Sequence, residues 1–259
     1  SIIHHSVIDV NVEVEFTDEG LIFNKERKCD LLASIFYCLA RVEEYRNTEL
    51  DDHERFQSTE SIFVSLHHKA WADIWCHKIA SLANLNLELK QKPNFEFSFD
   101  LDFGFQYLGK GLLRTIGASA KQILKLNFSG LRKRLHSIHT NKDPFDDSYA
   151  FLNSDFKEAK TFVLTAPFSR FDRGLNLNHI PFKRLKRKLS NLDISLHPSY
   201  FSKDKGYDFF REINFLETHF GKISSIRFHF LRYQWPVAQK AIINQGFTDD
   251  YSMAFADTP

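Results

Sequence analysis

Asp100 and Asp102, in the run Phe95-Glu-Phe-Ser-Phe-Asp-Leu-Asp102, are the first residues whose types and spacing point to chemistry. Alternating apolar and polar residues over 95–101 predict a strand, and residues two apart on a strand share a face. Two carboxylates so placed repel, unless one takes a proton or a cation sits beside them. Gly104 lets the chain turn sharply above the pair. His197 ends a second predicted strand, Asp193-Ile-Ser-Leu-His197, and leads into Pro198-Ser-Tyr200. Arg227 and His229 close a third, in Arg227-Phe-His-Phe-Leu-Arg232. Taken singly, these read as surface carboxylates at a strand end and a histidine packed against Pro198 and Tyr200. Taken together, they are polar residues at the C-terminal strand ends, where α/β folds build their sites. Asp102, His197 and His229 offer carboxylate oxygen and imidazole nitrogen, a donor set that suits a divalent metal, zinc first, with cobalt, manganese or nickel as alternatives. Arg227 is placed to hold and orient a carboxylate. Asp249 and Asp250, near a later strand end, either orient Arg227 or His229 or cap a turn.

The elements that must position these residues fall into two sets. Residues 7–16 alternate as a half-buried strand. Residues 30–46 and 69–89 carry apolar residues at helical spacing, with a polar stretch at 47–61 between them. Gln91-Lys-Pro-Asn94 breaks the pattern, which sets a small α/β or α+β domain at 1–92 apart from a second domain at 93–259. There, strands at 95–101, 161–166, 192–197 and 223–230, and a short one within 247–252, accompany helices at 179–190, 205–219 and 236–245. That repetition predicts a parallel sheet or a (β/α) barrel. Residues 103–158 form an insertion with a basic middle, including Lys110, Arg114, Arg132 and Arg134, and an apolar stripe from Leu112 to Leu124. It reads as a helix packed on the barrel with a solvated basic face, the alternative being a face for an anionic glycan or a membrane surface.

Composition bounds the rest. A net charge of +1 implies neither nucleic acid nor a membrane as partner. Many of the 27 phenylalanines are expected to fill a core, and some to line a cleft. Cys29, Cys38 and Cys76 form no CxxC pair, which argues against a disulfide framework or a zinc–thiolate site and toward a reducing, cytoplasmic setting. No apolar run is long enough for a transmembrane segment, and the first residues lack a signal-peptide layout, although a trimmed start leaves export open. The pairs His4-His5 and His67-His68 point apart as neighbours and read as surface residues. No phosphate-binding glycine loop and no serine or cysteine nucleophile with a matched base is evident.

Phe99-Asp-Leu-Asp102, Ile194-Ser-Leu-His-Pro-Ser-Tyr200 and Arg227-Phe-His-Phe-Leu231, in this order, resemble the motifs of the polysaccharide deacetylases, the NodB-homology fold of carbohydrate esterase family 4. The resemblance is to a bacterial subgroup that also carries the stretch from Tyr107-Leu-Gly-Lys-Gly111 to Arg114, and Asp249-Asp-Tyr-Ser-Met253. That subgroup's N-terminal domain, of unknown function, resembles residues 1–92. The resemblance implies a distorted or incomplete (β/α) barrel and an enzyme that removes N-acetyl groups from a carbohydrate with a divalent metal, in envelope polysaccharide synthesis. Asp100 would be the general base, and Asp102 and His197 metal ligands. The family's second motif carries another histidine where this chain has Phe201, so the third ligand falls to His229 by inference from the residues. The late histidine that serves as general acid has no counterpart before Pro259, and the barrel reads as a strand or two short. A hydrolase of a non-sugar amide and a catalytically silent glycan-binding or assembly protein are the alternatives.

Overall fold

The computed structural model describes residues 12–23, 28–46, 49–64, 66, 69–87, 95–173, 181–206 and 208–256. Two compact units emerge: 1–94 with 231–239 and 254–259, and 95–230 with 240–253. The two histidine pairs, the first part of the strand expected at 7–16 and the expected break at 91–94 lie outside the described residues.

In the first unit, β1 (Val14–Thr17) and β2 (Gly20–Phe23) form an antiparallel hairpin, followed by α1 (Leu31–Leu39), α2 (Val42–Arg46) and α3 (Trp71–Leu82). Asp30 caps α1 by accepting from the Ala33 amide at 2.9 Å. The helix expected over 30–46 breaks because Arg41 takes a left-handed φ of 51°, a conformation that ends a helix. Leu21, Phe23, Ala33, Tyr37, Trp71 and Trp75 make the core. Glu43 on α2 accepts from Ser61 Oγ (2.7 Å) and the Ile62 amide (3.1 Å), and burial pushes its carboxyl upward. The late segments join this unit through Arg232, paired with Glu54 at 2.8 Å, and through Tyr45–Trp235 and Phe56–Phe255 ring contacts.

The second unit holds β3 (Ser98–Leu101), α4 (Leu112–Leu124), α5 (Phe128–Thr140), α6 (Phe145–Asp155), β4 (Lys160–Leu164), α7 (Pro181–Leu189), β5 (Asp193–His197), α8 (Phe210–Phe220) and β6 (Ser225–Ile226); α9 (Val237–Asn244) precedes β7 (Asp249–Asp250). Its five strands are all parallel and lie in chain order, β3-β4-β5-β6-β7. The α/β class with a parallel sheet is therefore as expected. Phe162–Leu164 and Ile194–His197 are buried throughout, as central parallel strands must be. The sheet curls. Tyr251, just after β7, donates its hydroxyl to Glu96, just before β3, at 2.8 Å. In a flat sheet four strand spacings, roughly 19 Å, would separate those edges, more than the two side chains bridge.

The insertion is three helices rather than one. Its apolar stripe does not face the sheet: α4 buries no residue, and Leu112, Leu113 and Leu124 are 75%, 86% and 84% exposed. Tyr149 on α6 donates to the Gly104 carbonyl at 2.7 Å, and Asp143 accepts from the amides of Gln106, Tyr107 and Leu108 at 2.9–3.1 Å. These bonds fix the chain as it leaves β3. Among the described residues no helix is long and apolar enough to cross a membrane.

Candidate metal centre

Strand register brings the site together. Leu101, Val163, Leu196, Ile226 and Asp250 form one row across the sheet. The rows on either side of it carry their side chains on the opposite face, by the two-residue alternation of strands. One of those rows starts at Asp100 and Phe162; the other holds Asp102, Leu164 and His197, with Arg227 next along. Asp102 and His197 thus stand level at the strand tips although 95 positions separate them.

His197 Nε2 lies 3.4 Å from Asp102 Oδ1, and His229 Nε2 lies 3.7 Å from the same oxygen. One ligand atom from each of the three residues falls within 4.8 Å of the others, so this group can hold a metal ion. Both imidazoles are buried, at 2% and 6% exposure. Their far sides are fixed. His197 Nδ1 sits 2.5 Å from the Arg227 carbonyl oxygen, which only accepts, so that nitrogen carries the ring proton. His229 Nδ1 sits 3.0 Å from Asp172 Oδ1, a carboxylate that fixes the same tautomer. With the ring proton on Nδ1, each Nε2 is the atom turned toward Asp102, and in the neutral tautomer it presents a lone pair. Asp102 Oδ1 is itself buried and has no hydrogen-bond donor among the described residues.

Three acceptor atoms therefore face one another with no hydrogen among them, an arrangement that a cation or an added proton relieves. Ligands on one tetrahedral zinc, at bonds of ~2.1 Å, stand about 3.4 Å apart, close to the separations found here. When the added charge is a proton on the imidazoles, Asp102 is held below the usual carboxylate range, first by a hydrogen bond from His197, with burial opposing and the charges of His197 and His229 assisting.

Asp100 and Arg227 form a separate pair on the same sheet face. Arg227 Nη1 donates to Asp100 Oδ1 at 2.9 Å, Nη2 to Ser98 Oγ at 2.8 Å, and Nε to the Tyr251 carbonyl at 3.2 Å. Its guanidinium lies 4.5 Å from the Phe162 ring centroid. The second oxygen of Asp100 has no partner among the described residues.

The strand expected to carry both Arg227 and His229 over 223–230 stops at Ile226. The chain turns through residues 229–231, with left-handed φ of 60° at Phe230 and 52° at Leu231. That turn, rather than strand alternation, sends His229 to Asp102 while Arg227 goes to Asp100. Nor do Asp249 and Asp250 serve His229 and Arg227. Asp249 contacts Thr248 and Ser225, and Asp250 accepts from the Ser252 amide.

The carboxylate behind His229 is Asp172, which sequence reasoning missed. It is 2% exposed, accepts from the Tyr200 amide at 2.8 Å, and is held by Ser169, whose hydroxyl lies 3.0 Å from Oδ2. The signal was present: Ser169-Arg-Phe-Asp172 follows β4, another C-terminal strand end, with a hydroxyl and a carboxylate at turn spacing. Phe171 stacks on Tyr200 at 4.0 Å, and Phe230 meets both, making an aromatic wall beside His229.

Comparison with curated proteins and with solved structures finds no match. A model for a family of unknown function, DUF7033, matches residues 2–86, a stretch that ends before Asp100 and so contains none of these site residues.

Proposed function

We propose that the second unit is a metal-dependent hydrolase that removes N-acetyl groups from a polysaccharide or oligosaccharide. The observation that carries the reading is the buried Asp102 Oδ1, without a donor and faced by two imidazole lone pairs, beside an acid–base residue already oriented by an arginine. Asp102, His197 and His229 would hold a divalent cation, which would supply Lewis-acid polarisation of the acyl carbonyl. Asp100 lies two residues from Asp102 on the same face, roughly 7 Å along the strand. Its unpartnered oxygen takes a proton from the water that adds to the amide carbon, while Arg227 keeps the carboxylate in position. Asp100 returns that proton to the nitrogen as the C–N bond breaks, so the products are acetate and the free amine. The wall of Phe171, Tyr200 and Phe230 offers an apolar surface for the acetyl methyl or a sugar face. The curled sheet of parallel strands in chain order is compatible with an incomplete (β/α) barrel. Two histidines and one carboxylate also hold ferrous iron in oxygenases; Asp100 with its arginine favours hydrolysis.

The test is metal content and acetate release by the purified protein. Loading with zinc or cobalt is expected to give about one ion per chain, lost in Asp102→Ala and His197→Ala, and acetate release from N-acetylated oligosaccharides. No bound metal after loading defeats the reading. Bound metal with sugar binding but no acetate release assigns a silent glycan-binding protein instead.

A further inference from the structure

A cavity of about 290 Å³ opens in the second unit, at the lower edge of the range of roughly 300–1,000 Å³ for ligand pockets. Lys110, Arg114, Arg134 and Arg173 line it, with Phe103, Phe105 and Phe145. Two of these residues tie it to the centre: Phe103 follows Asp102 in the chain, and Arg173 follows Asp172. Neighbouring Cα atoms are ~3.8 Å apart, so two of the wall residues are direct chain neighbours of residues in the metal site.

Among the described residues no carboxylate pairs with these cations, and aromatic rings hold three of them. Lys110 Nζ stands 5.0 Å from the Phe103 ring centroid, the Arg114 guanidinium 4.0 Å from that of Phe168, and the Arg134 guanidinium 4.9 Å from that of Tyr107. Arg134 is 8% exposed and fixed by Gln122 at 3.0 Å. An aromatic face steadies a cation and leaves its full charge to be met by something else. Asp143, whose charge reaches Lys110, already spends both oxygens on backbone amides. Residues 103–142 contain eight lysines and arginines and no acidic residue. Burial, with the charge of Arg114 added, pulls the Lys110 ammonium down to about 8.

The geometry points to a binding site for a phosphoryl group carried by the substrate, so that the acetylated sugar reaches the metal centre as a sugar phosphate or diphosphate. Guanidinium groups match phosphate oxygens in pairs, and Lys110 adds a point charge. The placement on a substrate rests on the deacetylase reading; the binding itself does not. Nucleotide-linked and lipid-linked sugars share this chemistry, and the assay separates them.

The experiment is calorimetric titration of chelator-treated, metal-free protein with inorganic pyrophosphate at constant ionic strength, which needs no turnover. Saturable binding at one site is expected. The pair Arg114→Gln with Arg173→Gln, both exposed and tolerant of change, should weaken it by roughly 100-fold, about tenfold per charge-assisted contact. The pair Lys125→Gln with Arg132→Gln removes the same charge outside the cavity and should cost less than about threefold. Absence of binding, or equal weakening by both pairs, overturns the site. A nucleoside diphosphate N-acetylhexosamine and a short prenyl diphosphate N-acetylhexosamine are then titrated as competitors. The one that displaces pyrophosphate names the source, and displacement by neither overturns the substrate assignment even if acetate release from plain oligosaccharides succeeds.

Discussion

Asp100 and Asp102 leave one face of one strand two residues apart and end in opposite company. Asp100 meets a guanidinium that also grips Ser98 and the Tyr251 carbonyl, so its charge is matched by a fixed cation. Asp102 meets two imidazoles whose protons point away from it, so its buried oxygen faces lone pairs. The side chains of both aspartates are 39% exposed, so burial of the residue does not separate them. What separates them is the protonation pattern of the neighbour. One corner is complete as an ion pair; the other is complete only with a positive charge added. The strand tip thus divides into an ion-paired half and a half that can hold a cation.

The largest expected effect breaks that division directly. On the proposed reading, Asp100→Asn keeps the metal and loses acetate release by about 10²–10⁴-fold, the usual contribution of a positioned base. Asp102→Ala loses metal and activity together. Metal content measured alongside kcat tells the two apart. If Asp100→Asn also empties the site, the two halves are one and the division is wrong. A smaller effect sharpens the half that can hold a cation. Asp172→Asn leaves all three ligand residues in place but weakens the hold on His229, and the amide can present either an acceptor or a donor to Nδ1. Metal affinity should fall by about 10–100-fold, as when an outer partner of a ligating histidine is lost. Competition with a chelator of known affinity measures it, and an unchanged affinity would show that the turn at Phe230 alone orients the ring.

Both halves were partly legible in the sequence, for different reasons. Two-residue spacing put Asp100 and Asp102 on a common face, and apolar runs before His197 and Arg227 marked strand ends. These are local patterns, and the sheet register joins what they single out. His229 was singled out on the same argument, yet the structure brings it in by a left-handed turn that no periodicity announces. Asp172 went unnoticed because its value lies in a partner 57 residues away, and its own loop carries no repeat. The stripe on α4 fails in another way. Helical spacing shows that Leu112, Ile116 and Leu124 share a side of a helix, but not what that side meets, and here they remain exposed. In the first unit, the continuous pattern over 30–46 hid the break at Arg41, where backbone conformation overrides apolar spacing.

The smallest effect concerns pH, and it too distinguishes the two corners. Behind the turn that follows His197, Glu212 on α8 accepts from the Ser199 amide at 3.0 Å. Burial pushes its carboxyl up to about 7; the Ser199 hydrogen bonds oppose this, and the charge of Asp172 adds to it. A folded state that prefers the proton is favoured at low pH. The contribution is fully present below the ordinary carboxyl value of about 4.5 and is lost as pH rises through 7. Between pH 5 and pH 6, wild-type stability should therefore fall by roughly 1 kcal/mol more than that of Glu212→Gln, which stays neutral throughout. Denaturant unfolding at the two pH values measures it. The difference between the proteins is the readout, because burial also raises Glu43 and Glu44 in the first unit and gives the wild-type curve a slope of its own. On the guanidinium side, Tyr251 is pushed up to about 12 by burial and by Glu96, far above this window. A matching slope in wild type and Glu212→Gln would mean that the carboxyl behind the histidines is already relaxed by water, and the two corners would then differ in charge pattern alone.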